Sequence, residues 1–112
     1  MTLDELTALV ARRLEGKSRA LLLGAPPPAE VFYYVNHPPY EAVVLGLLPP
    51  GLLLQMPTEP VCRALLSGMP VYLWANQPYR RWPHGKLLQR ELREAQARLI
   101  RLGAREWRGE TV

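Results

Sequence analysis

Residues 58–76, TEPVCRALLSGMPVYLWAN, constrain the chain most, because they spell a helix, a stop and a buried strand in immediate succession. Thr58 suits an N-cap, and Glu59 puts a negative charge in the first turn. Pro60 is tolerated there because first-turn N–H groups have no helical partner. Val61, Ala64 and Leu65 recur at helical spacing. Gly68 then fits the left-handed position that closes a helix, and Pro70 forbids continuation. Val71-Tyr72-Leu73-Trp74 is a short, unbroken apolar run, as expected of a strand covered on both faces of a parallel sheet. Helix, glycine, proline, strand is half of an αβ unit, so the rest of the chain is read against an α/β frame.

The segments before it follow that frame. Residues 2–15 predict an amphipathic helix, with Thr2 and Glu5 as a capping box and Leu3, Leu6, Val10 and Leu14 along one stripe. Such a terminal helix either packs on its own domain or lies in a partner's groove. Residues 1–16 are therefore set apart as a docking segment, and residues 17–112 as a single α/β domain. Arg19–Gly24 reads as the first core strand, stopped by Pro26-Pro27-Pro28. Three successive prolines remove the backbone donors that a phosphate-binding loop needs. Ala29–Val35 is ambiguous between strand and short helix, its β-branched and aromatic content favouring strand. Tyr40–Leu48 is the second strand, built on Ala42-Val43-Val44-Leu45. Leu52–Met56 fits a helical turn or a strand.

Beyond the organising unit, residues 75–85 form a polar, aromatic and basic loop at the C-terminal end of a strand, the edge where α/β sheets place ligands. Tyr79, Arg80, Arg81 and Trp82 suit stacking on and pairing with an anionic planar ligand; they equally suit a connecting loop that covers the sheet edge. Lys86–Leu102 predicts the longest helix, with an apolar seam at Leu88, Leu92, Ala95, Leu99 and Leu102 and i,i+4 pairs Arg90–Glu94 and Glu94–Arg98. Residues 104–108 suit a last strand. The alternation implies a small three-layer parallel sheet, flavodoxin- or Rossmann-like, of three to four strands with covering helices.

Composition bounds the chemistry. At 112 residues the chain is one domain, and at 48% apolar residues it can bury a core. No apolar run reaches the ~18 residues of a membrane span, and no basic, apolar leader opens the chain, so a cytoplasmic protein without a membrane partner is expected. Lys and Arg number 14 against 10 acids, for a net charge of +4. Without a nucleic-acid motif beside it, that excess reads as solvated helix faces rather than a nucleic-acid surface. The single cysteine, Cys62, excludes an internal disulfide. Its place near a helix N-terminus would favour a thiolate, yet a cysteine there more commonly serves as a small hydrophobe. His37 and His84 lie in separate loops without metal-ligand spacing, and no phosphate-loop, CxxC or HExxH motif is present.

Three stretches carry a resemblance: YEAVVLGLL (40–48), RALLSGMPVYLW (63–74) and RLIRLGA (98–104), together with ALLLG (20–24) after the N-terminal helix. The chain resembles the flavoprotein-like proteins encoded in bacterial microcompartment loci of the ethanolamine- and propanediol-utilisation type. That family is related to flavin-containing cysteine decarboxylases. The resemblance implies a flavodoxin-like sheet, association with a microcompartment shell or cargo protein, and an N-terminal helix acting as encapsulation peptides do. It also implies a departure. Flavin-binding members carry a Ser/Thr-Asn stretch where this chain has Leu48-Pro49-Pro50-Gly51, with neither hydroxyl nor amide. The expected function is thus a non-catalytic accessory or scaffold protein, self-associating or bound to shell or cargo, with no cofactor. The alternative is a small FMN or nucleotide binder with Gly24, Asn76, Tyr79 and Arg80 about the ligand. An Arg-rich nucleic-acid binder is the second alternative.

Overall fold

The computed structural model describes residues 2–5 and 17–112. Among the described residues, after a helical stretch at 3–5, the elements from residue 18 onward are β1 (Ser18–Leu23), β2 (Phe32–Val35), β3 (Ala42–Leu45), α1 (Pro50–Gln55), α2 (Glu59–Ser67), β4 (Val71–Trp74), α3 (Lys86–Leu102) and β5 (Arg105–Trp107), with a 3₁₀ turn at Pro78–Arg81 between β4 and α3. Every pairing is parallel, and the strand order is β2-β1-β3-β4-β5. That is the flavodoxin-like doubly wound order, whose direction reverses between β1 and β3. The ambiguous segment 29–35 supplies β2 and residues 104–108 supply β5, making five strands where three to four are expected from sequence, while residues 52–56, open between a helical turn and a strand, fall in and just after α1.

The links explain how so short a chain holds five strands. Residues 24–31 and 36–41 connect β1 to β2 and β2 to β3 with no helix in either. Proline at 26–28 and 38–39 favours extended backbone, which spans about 3.1 Å per residue where a helix advances only about 1.5 Å. A few extended residues therefore carry the chain back to the start of the next parallel strand.

The sheet is buried on both sides. On one face Leu21, Val43, Leu45, Val71 and Leu73 meet Leu53 of α1, Val61 and Ala64 of α2, and Leu92, Ala95 and Leu99 of α3. On the other, Ala20, Phe32, Ala42, Val44, Tyr72, Trp74 and Trp107 form an aromatic layer, with Ala29 and Val31 of the β1–β2 link packed against it. Trp107 stands edge-on to Trp74 and Phe32, with ring centroids 5.5 Å apart in each case, the offset geometry that ring quadrupoles prefer. All four residues of β3 and of β4 are buried, in strict alternation between the two faces.

The helix ends follow the expected residues, with one difference. Gly68 takes φ +81° and closes α2, its N–H donating towards Leu65 while Met69 N–H donates to Ala64 O (2.9 Å). Thr58 is the N-cap by position, but its hydroxyl makes no cap bond and is oriented to Met56 Sδ (3.8 Å). The capping box at the start of the chain forms in both directions, Thr2 N–H to Glu5 (3.2 Å) and Glu5 N–H to Thr2 Oγ1 (3.1 Å). On α3 the expected i,i+4 pairs of Glu94 are replaced. Glu94 accepts from Arg101 Nη2 (2.8 Å), and Arg98 Nη2 donates to the Met56 carbonyl (3.1 Å). A carbonyl freed at the end of α1 lies closer to Arg98 than the solvent-facing carboxylate does, and exposed ion pairs are too weak to dictate the choice. Of the α3 seam, Leu92, Ala95 and Leu99 are buried, while Leu88 and Leu102 at its two ends are half exposed.

Candidate functional site

In an open α/β sheet the ligand crevice lies beyond the C-terminal strand ends, where the loops after β1 and β3 part. Here those loops do not part. Ala25 N–H donates to Leu47 O and Leu47 N–H to Ala25 O, both at 2.9 Å, and Gly46 N–H donates to Leu23 O (3.0 Å). Two glycines permit so close an approach. A Cβ on Gly46 would sit 2.1 Å from Ala25 O, and one on Gly24, whose φ is +83°, 2.6 Å from Leu47 O. The next donor, Leu48 N–H, is taken by Gln77 Oε1 (2.9 Å), and Gln77 Nε2 donates to Gly46 O (2.8 Å) and Trp74 O (2.7 Å). Gln77 is fully buried. The amides of Ala25, Gly46, Leu47 and Leu48 at the switch point are therefore committed within the chain, and Pro26, Pro27, Pro28, Pro49 and Pro50 supply none.

The open space lies beside this closure, across the ends of β4 and β5 and against the outer side of the β1 and β3 loops. A cavity of about 330 Å³ is lined by Trp74, Ala75, Asn76, Arg80, Glu106 and Arg108. A second, of about 470 Å³, is lined by Pro26, Pro28, Leu47, Trp74, Asn76, Pro78 and Arg81. They share Trp74 and Asn76. The first is walled mainly by charged and amide groups, the second mainly by proline rings and Leu47. Arg80 is held from two sides: its Nη2 donates to Gln96 Oε1 (3.2 Å), and its guanidinium lies 5.7 Å from the centre of the Tyr79 ring. Gln96, buried, also accepts from the Tyr79 hydroxyl and donates to Ala75 O (3.4 Å). Arg108 Nη2 pairs with Glu106 (3.1 Å). Among the described residues, no carboxylate pairs with Arg80 or Arg81, so the edge keeps a positive excess.

Of the residues expected about a cofactor, Asn76 and Arg80 line this edge together. Tyr79 is core, buried with its hydroxyl on Gln96, and Gly24 is engaged in the β1–β3 closure. Leu3, of the docking stripe, is exposed; Leu6, Val10 and Leu14 lie outside the described residues. Cys62 is half-buried on α2 with Sγ 3.8 Å from Pro57 O. His37 hydrogen-bonds through Nδ1 to Pro38 O (3.0 Å), and His84 is exposed. Neither histidine is hydrogen-bonded to Cys62. Among the described residues no group of three His, Cys, Asp or Glu side chains is gathered for a metal, and no helix is long and apolar enough to cross a membrane.

Sequence reasoning missed Gln77, Gln96 and Arg108. A glutamine carries no local signal for burial, because its three partners lie on other elements. Arg108 reaches the edge only because β5 lies beside β4. Two titrating groups are displaced. Burial pushes the Tyr34 phenol above its ordinary 10.0, and its hydroxyl has no hydrogen-bond partner among the described residues. The backbone amide of Arg108, donating to Glu110 Oε2 (3.0 Å), holds the Glu110 carboxyl below the usual carboxylate value.

No protein-family model matches this chain, nor does a curated protein or a solved structure.

Proposed function

We propose that this chain is a non-catalytic accessory or scaffold protein of a bacterial microcompartment system, acting through protein–protein contacts. The observation that supports this reading is the closed switch point. A flavodoxin-like sheet whose β1 and β3 loops are hydrogen-bonded to each other keeps the scaffold and gives up the phosphate cradle. The resemblance of residues 20–24, 40–48, 63–74 and 98–104 to microcompartment-encoded proteins supplies the setting, and the stripe Leu3, Leu6, Val10, Leu14 the docking segment for a shell or cargo protein. No cofactor enters this reading. Bound FMN, the alternative, would need a phosphate site other than the one between β1 and β3.

The test uses the full chain and a chain of residues 17–112, each tagged and co-expressed with the shell proteins encoded beside its gene. The expected result is co-purification of the full chain with a shell or cargo protein and its loss on deletion, with cooperative thermal unfolding retained by both chains. Three outcomes overturn the reading: a locus without shell genes, association that survives the deletion, or a shortened chain that does not fold. The last would place residues 1–16 in the core.

A further inference from the structure

Independently of that reading, we propose that the sheet edge at β4 and β5 binds a small organic anion, a phosphate monoester or carboxylate joined to a flat apolar group. Arg80 and Arg108 face the charge from one cavity and Arg81 from the adjoining one, which also supplies Pro26, Pro28 and Leu47 for the apolar body. The two adjoining cavities differ in character and meet at Trp74 and Asn76. One is lined by Arg80, Arg108 and Glu106, the other by three prolines, Leu47 and the single cation Arg81, so a ligand spanning them is best matched by a charged end and an apolar body. Together they are of the size that small-ligand sites occupy, on the order of 300–1,000 Å³.

Electrostatics give the sign. Three arginines face the edge, and two carboxylates oppose them, both at Arg108: Glu106, paired to its guanidinium, and Glu110, held by its backbone amide. Arg80 and Arg81 remain uncompensated by carboxylates among the described residues. A guanidinium presents a planar fork that matches phosphate or carboxylate oxygens in pairs. Arg80 is also held in place before any ligand arrives, by the Gln96 amide and the Tyr79 ring. Less side-chain freedom is then lost on binding. Asn76 stands exposed where the cavities join, and its carboxamide has no hydrogen-bond partner among the described residues. It offers one donor group and one acceptor to the neutral part of a ligand. Gln96 and Gln77, by contrast, are consumed in building the edge. The site differs from the usual one of this fold because the β1 and β3 loops are hydrogen-bonded to each other and the opening extends from their outer surface across the end of β4 to β5.

Calorimetric titration of the full chain with AMP, FMN and 3-phenylpropionate tests this, with adenosine, riboflavin and 3-phenylpropan-1-ol as the uncharged counterparts. The expected result is one-to-one saturation by at least one anion below about 1 mM, with its counterpart weaker by about tenfold or more. The Arg80→Ala/Arg81→Ala double variant should lose about tenfold or more in affinity. Arg90→Ala, on the exposed side of α3 and outside both cavities, should not change it. Asn76→Ala, which disturbs no hydrogen bond of the fold, guards against a double variant that unfolds and should weaken binding severalfold. The proposal is overturned if no anion saturates in that range, if a neutral counterpart binds as tightly, or if a folded double or Asn76 variant binds like the parent.

Discussion

Single atoms decide how this molecule differs from an open flavodoxin-like sheet. Gly46 has no side chain, and a methyl there would lie 2.1 Å from a backbone oxygen that cannot move without breaking the β1–β3 pairing. Gly46→Ala should therefore cost about 3 kcal/mol. Gly51, in the first turn of α1 with nothing within 4 Å of its would-be Cβ, should gain about 0.5 kcal/mol as alanine by restricting the unfolded chain. Urea unfolding of both variants reads the contrast, and equal midpoints would refute the steric account. Tyr34 makes a second residue-scale case. Its hydroxyl is buried without a partner among the described residues, and burial raises its pKa above 10.0. Below pH 10 folded and unfolded chains are both neutral at this group. Above it the unfolded chain releases the proton first, the folded state binds more protons, and stability falls as pH rises. Tyr34→Phe should be neutral or stabilising by up to about 1 kcal/mol at pH 7 and should flatten that alkaline loss. Thermal unfolding at pH 8 and pH 11 checks it; an unchanged pH slope would show that Tyr34 titrates alike in the folded and unfolded chains, its pKa not raised by the fold.

Among the elements, α3 shows how much of its pattern burial actually uses. Its apolar seam spans the whole helix, yet only Leu92, Ala95 and Leu99 are enclosed, with Gln96 beside them turned inward to hold Tyr79 and Arg80. Leu99→Ala should cost about 2–5 kcal/mol, whereas Leu102→Ala, half exposed, should stay within about 1 kcal/mol. Chemical denaturation of the pair measures this, and comparable losses would mean that the seam is packed along its full length. The helix itself was legible from Lys86 to Leu102 because period and caps agree. The partners of Glu94 and Arg98 were not, since i,i+4 spacing on an exposed face offers only a few tenths of a kcal/mol. A carbonyl brought in by α1 outbids it.

At the scale of the whole molecule, the closure between β1 and β3 has a dynamic signature. The amides of Ala25, Gly46, Leu47 and Leu48 sit in loops, where exchange with solvent is ordinarily fast, yet each donates to a partner. Native-state hydrogen exchange should find them protected to nearly the level of the β3 and β4 strand amides. Exchange at ordinary loop rates would show the crevice open in solution, and with it the support for a scaffold without a phosphate site would fall. The same closure makes Gln77 a strut, for it ties the ends of β3 and β4 through three hydrogen bonds.

The α/β class, the boundaries of α2 and α3, and the both-face burial of β3 and β4 followed from residues 58–76 and from local pattern alone. A helix period, a glycine at a left-handed stop and an unbroken apolar run act over a few residues and need no distant partner. What tertiary structure decided is everything that depends on one strand lying beside another. The zipping of the β1 and β3 loops needs two glycines twenty-two residues apart, Gly24 against the Leu47 carbonyl and Gly46 against that of Ala25. The burial of Gln77 needs three carbonyl and amide groups from the ends of β3 and β4. The cationic edge needs Arg108 of the β5 end beside Arg80 of the β4 end. These are contacts between segments far apart in the chain, and residue type at one position carries no information about which neighbour the fold will bring to it.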